Sequence, residues 1–240
     1  MKRYLTILGV ATLLAACSDS NTLQVPPATE APEPEPPAPG ATFEVTTTNL
    51  TAGQPLSPIA LIAHTDTLRV FTIGEAASEG LELLAEGGDN SGLLDEFDGR
   101  GEVSGEAPVG PGASETLTLE LDSDDTAATV LSVITMLVNT NDAITGVTGM
   151  DLAPLAVGDS VTVDAGAYDT GTEANSEAAG TIPGPADSGE GFNETRDDVG
   201  DQVTMHPGVV TAADGLDGSV LMQIHRFDNP VARITVTRIQ

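Results

Sequence analysis

The sequence predicts an all-β fold, an antiparallel β-sandwich with one short helix. Apolar and polar residues alternate in four segments, as in strands that bury one face. Two further segments are apolar throughout, which indicates strands buried more completely. Glycine, proline and aspartate separate these segments at short intervals, a pattern typical of an antiparallel sandwich.

The alternating segments are TFEVTTTNL, ETLTLELD, DSVTVDA and VARITVTRI. Their predicted inward-facing residues include Phe43, Val45, Thr47, Leu117, Leu119, Leu121, Val161, Val163, Val231, Ile234 and Val236. The apolar runs PIALIA and VLSVITMLV predict buried strands, although the second also resembles a helix. The one predicted helix lies in GEAASEGLELLAE, where Ala77, Leu81 and Leu84 share a face.

The N-terminus, MKRYLTILGVATLLAAC, has a basic start, an apolar centre and small residues before a cysteine. It is too short for a membrane span and predicts an export signal. The segment Leu14-Ala15-Ala16-Cys17 resembles the lipobox of bacterial lipoproteins, which implies cleavage before Cys17 and lipid attachment to its sulfur. By the same resemblance, Ser18 favours the outer membrane. The alternative is an unmodified secretory peptide.

Three regions follow from composition: a signal at residues 1–17, a tether at 18–41 and a domain at 42–240. The tether is rich in proline and glutamate and cannot bury a core, so it is predicted to be extended and disordered. Cys17 is the only cysteine in the chain. The exported domain therefore depends on packing, or on a bound ion, rather than on disulfides.

The chain after the signal is strongly acidic. It has 37 acidic side chains against six arginines, a formal net charge of −31, and no lysine. This charge disfavours nucleic acid and anionic lipid headgroups as partners. It suits a salty medium and attracts divalent cations. General adaptation to salt accounts for most of the charge, but not for where individual acids lie.

Two turn-like segments place acids directly after predicted strands. Asp142 lies in TNDAITG, and Asp169 and Glu173 lie in AYDTGTEAN. Taken alone, these residues fit a metal site, a pair of catalytic carboxylates, or ordinary turn residues, since aspartate, glycine and threonine favour turns. Carboxylates on adjoining loops are ligands that calcium accepts in flexible geometry.

A set of segments, in order along the chain, resembles the bacterial spondin-type domain. The segments are TFEVTTTNLTAGQPLSP, GEAASEGLELLAEGGD, MLVNTNDAITG, YDTGTEAN, IPGP, VTMHPGV and NPVARITVTRI. The family is similar to the N-terminal spondin module of F-spondins. The resemblance implies a C2-like β-sandwich that carries a calcium ion between loops, in proteins of the extracellular matrix and of adhesion.

The resemblance also implies the calcium ligands. The family pattern of a TND-like turn and two acids four residues apart corresponds to Asp142, Asp169 and Glu173, so the implied cofactor is Ca²⁺. Glu173 departs from the animal pattern, which has aspartate there, and its extra methylene changes the reach of that ligand. Asn141 and Asn175 are further candidates for amide ligands, although turn formation explains both.

Other constellations compete with this interpretation. His64, His206 and His225 are the only histidines, and with a carboxylate they would form a zinc site, although no HExxH motif is present. Asp169 and Glu173 would be the pair of a glycosidase, but tryptophan is absent and Tyr168 is better explained by packing. The acidic segments LDSDD and GDNSGLLDEFDG are interpreted as solvated loops.

The sequence therefore predicts a lipid-anchored, non-enzymatic, calcium-binding adhesion or interaction module. It would lie at the outer membrane, facing the periplasm or the cell exterior. Its partner would be an extracellular protein or glycan, and not a nucleic acid. The alternative is a metal-dependent hydrolase that uses His64, His206 and nearby carboxylates, which requires those side chains to converge in a cleft.

Overall fold

The computed structural model describes residues 40–97, 99–121, 128–194 and 200–240. Within these residues, ten strands form two antiparallel sheets that pack face to face. The all-β sandwich predicted from the sequence is confirmed. The predicted signal peptide, Cys17, most of the tether and Asp122–Asp125 of the LDSDD segment lie outside the described residues.

The first sheet has four strands. Their spatial order is β4 (Ser114–Glu120), β1 (Thr42–Asn49), β10 (Ala232–Arg238) and β7 (Ser160–Ala165). In β1, Phe43, Val45 and Thr47 are buried while Glu44 is exposed, as the alternation predicts. Thr46 pairs with Thr116 through their hydroxyl groups on the solvent side. The sheet thus has one face against the core and one face in water.

The second sheet has six strands. Their spatial order is β3 (Gly101–Ser104), β2 (Ala60–Thr65), β5 (Thr129–Met136), β6 (Ala143–Asp151), β8 (Ala167–Asp169) and β9 (Thr204–Met205). β5 lies between β2 and β6 and is buried at every position. The apolar run VLSVITMLV is therefore a central strand, which confirms the predicted strand over the helical alternative.

Both faces of the six-stranded sheet are covered. Leu131 and Val133 of β5 pack in the core between the sheets, whereas Ile134 and Met136 belong to a second cluster that includes helix residues. Burial on both faces explains why β2 and β5 are continuous apolar runs rather than alternating ones.

The first helix, α1 (Glu79–Gly87), supplies part of that second cluster through Leu81 and Leu84. The Ser78 hydroxyl accepts a hydrogen bond from Leu81 N at 3.2 Å, and Gly88 ends the helix in a left-handed conformation. The helix begins after Ala77, because Ser78 is the residue that caps it. Ala77 still packs against the same cluster.

A second helix, α2 (Ser91–Glu96), corrects the interpretation of GDNSGLLDEFDG as a solvated loop. Leu93 is fully buried, and the Glu96 carboxylate accepts hydrogen bonds from Gly80 N and the Ser78 hydroxyl, both at 2.6 Å. Six residues are too few for a helical period to be visible among the neighbouring acids. Neither α1 nor α2 is long or apolar enough to cross a bilayer, nor is any other helix in the described ranges.

The N-terminal boundary of the domain needs one correction. Ala41, assigned to the tether, is buried in the core, and its carbonyl accepts a hydrogen bond from Leu121 N at 2.9 Å. The folded domain therefore includes Ala41, one residue before the predicted start. At the other end of the chain, the Gln240 side chain donates to Gly40 O at 3.3 Å.

The long connection between β8 and β10 caps one end of the sandwich. Apart from β9, its described residues form two short 3-10 helices, Ala212–Asp214 and Gln223–His225. Ile182, Val209 and Leu221 form a small apolar cluster that holds this connection together. Loops of this kind commonly carry functional residues on a rigid scaffold.

Gly146 in β6 is expected to tolerate no side chain. Its φ is +150°, and a Cβ there would overlap the carbonyl oxygen of Val133 in the adjacent strand. Gly146→Ala should lower the free energy of unfolding by about 3 kcal/mol or more, through backbone strain and overpacking. Gly218→Ala is the control, because a Cβ at Gly218 would meet no atom within 4 Å. Chemical denaturation measures both; equal stabilities would contradict the tight packing at Gly146.

Candidate metal centre

The three acids predicted as ligands lie at the same end of the six-stranded sheet. Asp142 directly precedes β6, and Asp169 ends β8, where it pairs with Ala143. Glu173 lies in the turn that follows β8. All three are buried, with exposed fractions of 0%, 8% and 2%. Acidic residues are seldom this buried without a partner or an ion.

Asp142 is held by the turn after β8. Its Oδ2 accepts hydrogen bonds from the Thr170 hydroxyl and Thr172 N, both at 3.0 Å, and from Glu173 N at 3.2 Å. Its Oδ1 is buried and has no hydrogen-bond partner among the described residues. The backbone of one predicted ligand, Glu173, therefore positions the side chain of another.

The charge on Asp142 is unfavourable in this environment. Burial, and after it the nearby charge of Asp169, raise the pKa of Asp142 to about 6, against the three hydrogen bonds that lower it. A buried carboxylate beside a second carboxylate is an arrangement that a cation would stabilise.

Asp169 is bonded at both oxygens. Oδ1 accepts from Gly171 N at 2.9 Å, and Oδ2 accepts from the side-chain amide of Asn175. The Asn175 carbonyl oxygen lies 3.2 Å from His206 Nε2. His206 Nδ1 accepts from Gly208 N at 2.9 Å, so the neutral ring carries its proton on Nε2 and donates to Asn175. Asn175 thus acts as a link rather than as a turn residue alone.

His206 is buried and held neutral. Burial lowers the pKa of His206 to about 4, against the charge of Asp169, which raises it. Its ring also packs on Phe227, with centroids 5.3 Å apart. Since both ring nitrogens are already hydrogen-bonded, His206 is a supporting residue of this site and offers no free nitrogen to a metal.

The Glu173 side chain contacts Asn141, and its backbone N donates to Asp142. Its Oε2 accepts from Asn141 Nδ2 at 3.2 Å, and Asn141 also donates to Thr181 at 3.0 Å. Over the described ranges, no three histidine, cysteine, aspartate or glutamate side chains are grouped closely enough to hold a metal ion. The structure therefore brings Asp142 and Asp169 together and places Glu173 beside them, with its carboxylate hydrogen-bonded to Asn141.

Sequence reasoning missed Glu177, which also contacts Asn141. Its backbone N donates to Asn141 Oδ1 at 3.1 Å, and its Oε1 accepts from Val210 N at 2.8 Å. Its Oε2 is buried and has no hydrogen-bond partner among the described residues, and its φ is +49°. Burial raises the pKa of Glu177. Nothing in the local sequence distinguishes it from the other acids of this chain.

The available donors at this end suit a hard cation. Asp142, Asp169 and Glu173 offer carboxylate oxygens, and both nitrogens of His206 are occupied. Oxygen ligands favour calcium or magnesium, whereas zinc prefers nitrogen and sulfur. The buried, unbonded Oδ1 of Asp142 is a position that a cation would satisfy. In donor chemistry, the residues fit the calcium implied by the resemblance.

The histidine site of the rival hydrolase is not assembled. His64 pairs with Val130 at one end of β5, whereas Asp142 lies beyond the other end, next to Ala143. Seven strand residues separate these ends by roughly 20 Å. His64 donates from Nδ1 to Thr65 O and accepts from Ser132 at Nε2, both at 2.8 Å. It is a structural histidine, as is His225, whose Nδ1 accepts from Met222 N at 3.1 Å.

Tyr168 is a packing residue. Its ring lies 4.8 Å from that of Phe71, centroid to centroid, beside the cluster under the helices. The Asp169 and Glu173 carboxylates are buried and hydrogen-bonded to Gly171, Asn175 and Asn141. Acids held in this way do not flank an accessible cleft as a glycosidase pair must.

Comparison with known families identifies the family of this domain. A sequence model of the Spondin_N family matches residues 50–182, more than half of the chain, and this range includes all three acids. The chain belongs to the Spondin_N family. No curated protein matches the chain. Spondin_N domains are extracellular interaction modules of the adhesion type, and this membership confirms the resemblance stated from the sequence.

Proposed function

We propose that this Spondin_N domain is a calcium-stabilised, non-catalytic interaction module that a lipid on Cys17 anchors to the outer membrane. The observation that carries the calcium proposal is the buried pair of Asp142 and Asp169, with one Asp142 oxygen left without a donor. The predicted lipobox and Pro/Glu-rich tether support the anchor. The partner would be an extracellular protein or a glycan, because the charge disfavours nucleic acid.

The residues around Asp142 and Asp169 indicate how a calcium ion would be held. Asp142 and Asp169 would supply two carboxylates, and Glu173, whose side chain contacts Asn141, would supply a third after a shift of that side chain. Calcium would contribute positive charge to this buried acidic cluster and six to eight positions for oxygen ligands. The three loops that meet there are the turn before β6, the turn after β8, and the segment around His206.

The ion is thus expected to stabilise loops rather than to activate a substrate. Thr170, Thr172 and Glu173 already tie the turn after β8 to Asp142, and Asn175 ties it to His206. Neutralising the carboxylates would remove the repulsion that opposes this arrangement. A partner that recognises the loops would then bind the calcium-loaded form more tightly than the calcium-free form.

Thermal unfolding with calcium, magnesium or chelator, at fixed high ionic strength, tests this function. Calcium at a hundred times its dissociation constant should stabilise the wild type by about 2.7 kcal/mol, a rise in Tm of roughly 5–10 °C. Asp169→Asn should abolish the rise. Asp66→Asn, a matched change at an exposed aspartate beyond the other end of the sheet, should keep it. Equal melting of the wild type in all three conditions would remove the calcium proposal.

A further inference from the structure

A groove opens on the side of the sandwich where β6 and β7 approach each other. Its cavity volume is about 510 Å³, within the range of ligand and peptide pockets. Apolar side chains line much of it, namely Phe71, Ile73, Val147, Val163 and Tyr168. Ile73 is 58% exposed and adds an accessible apolar side chain to this lining.

Two open strand edges border the groove. β8 pairs with Ala143–Thr145 only, so the part of β6 from Gly146 onward has β5 on one side and no strand on the other within the described residues. Among the described residues, β7 is an edge strand of the other sheet and pairs with β10 alone. Residues of both edges line the groove, at 146–148 and at 163–165. Open edges offer backbone donors and acceptors that an added strand can satisfy.

Arg69 gives the groove a positive charge. Its Nη1 donates to Asp66 O at 2.7 Å and Leu68 O at 2.6 Å, while Nε and Nη2 have no hydrogen-bond partner among the described residues. Val70 N donates to the Thr148 hydroxyl at 3.0 Å, which fixes Arg69 beside the open part of β6. A guanidinium with two free donor groups is suited to a carboxylate.

The other charged residue in the groove is already neutralised. Asp164 accepts two hydrogen bonds from the Arg233 guanidinium, at 2.7 and 3.1 Å. The charge left available in the groove is therefore that of Arg69, although the whole chain has a formal net charge of −29. The groove therefore favours a ligand with an anionic group, whereas the acidic remainder of the surface favours cations.

We propose that this groove binds an extended segment of a partner protein, which adds to the open edge of β6 and places a carboxylate against Arg69. The segment's backbone pairs with 146–148, and its alternate side chains lie on the apolar lining. Recognition then depends on an extended backbone and an acidic group more than on one particular sequence. This surface is separate from the acids at the end of the sheet, so the inference goes beyond the proposed calcium function.

The test uses a defined probe, the blocked peptide acetyl-(Val-Glu)₃-amide, titrated to millimolar concentration at high ionic strength. Amide chemical shifts of the ¹⁵N-labelled domain should change at 146–148 and 163–165. Arg69→Gln should weaken binding about tenfold, the effect of losing one charge-assisted contact. Arg226→Gln is the matched control, because Arg226 pairs with Asp214 elsewhere, and it should leave binding unchanged.

Two further peptides keep the test independent of whether the Arg69 variant folds. A (Val-Gln)₃ peptide should bind about tenfold more weakly, and a (Val-Glu)₃ peptide N-methylated at alternate residues should not bind, because it cannot pair with a strand. Absence of shifts with the first peptide overturns the proposal, as does equal binding of all three peptides. Shifts with octanoate but not with the peptide would also overturn it, in favour of a small apolar anion. The peptide titration is done both with calcium and with chelator, so that the groove proposal and the calcium proposal are tested separately.

Discussion

Asp142→Asn is expected to stabilise the calcium-free domain at pH 7.5 while abolishing its response to calcium. The pKa of Asp142, raised to about 6 by burial and then by Asp169, means that its ionised form is unfavourable in the folded state. A carboxyl group whose pKa is raised on folding stabilises the folded state fully at pH values below its unfolded pKa, near 3.8. This stabilisation is lost as pH rises through the folded pKa of about 6. The cost at pH 7.5 is up to about 3 kcal/mol.

Asparagine removes that cost and retains an acceptor oxygen for Thr170, Thr172 and Glu173. The Tm in chelator should therefore rise, by at most roughly 6–12 °C. The gain should vanish near pH 4, where the wild-type carboxyl is protonated as well. A lower Tm than the wild type in chelator at pH 7.5 would contradict the argument, since it would make ionised Asp142 a stabilising group.

His206→Gln is expected to flatten the loss of stability on acidification. A histidine whose folded pKa is lowered stabilises the domain above its unfolded pKa near 6.5, and this contribution is lost as pH falls toward the folded value of about 4. Between pH 7.5 and pH 5 the loss from His206 is about 2 kcal/mol, or roughly 4–8 °C in Tm. Glutamine stays neutral and can donate to Asn175 and accept from Gly208 N.

The comparison is made in chelator, so that the opposite pH dependence of Asp142 is the same in both proteins. His64 and His225, whose pKa values burial also lowers, remain in both. The Tm of the wild type should thus fall relative to that of His206→Gln as pH decreases. A difference that is constant between pH 7.5 and 5 would show that His206 is not the buried neutral group described above.

Much of the fold follows from the sequence because each strand of the four-stranded sheet buries one face and exposes the other. The alternation around Phe43 and Val45 already identifies the inward face of β1. The run that became β5 is different, since its apolar residues fit a helix as well as a strand. Only pairing with β2 and β6, and cover on both faces, selects the strand. The helix at Ser91–Glu96 was missed because its one fully buried residue, Leu93, gives no period.

The candidate site was only partly predictable. The sequence and the family resemblance place Asp142 and Asp169 at strand ends, and pairing of β6 with β8 brings them together. The hydrogen bonds from Thr170 and Thr172 depend on the path of the turn, which no local pattern specifies. Asn175 and His206 are 31 residues apart in the chain, so their contact depends on how the intervening connection folds. The lipid anchor on Cys17 stays a prediction.

Titration calorimetry of calcium into the chelator-stripped domain tests the central claim most directly. At fixed high ionic strength, the wild type should bind calcium saturably, with one ion at the Asp142–Asp169 pair, and magnesium should bind more weakly. Asp142→Asn should lose that binding event, and Asp66→Asn should retain it. Absence of saturable calcium binding in the wild type, or the same binding in Asp142→Asn, would contradict the account and leave the buried acids as structural residues of the turn.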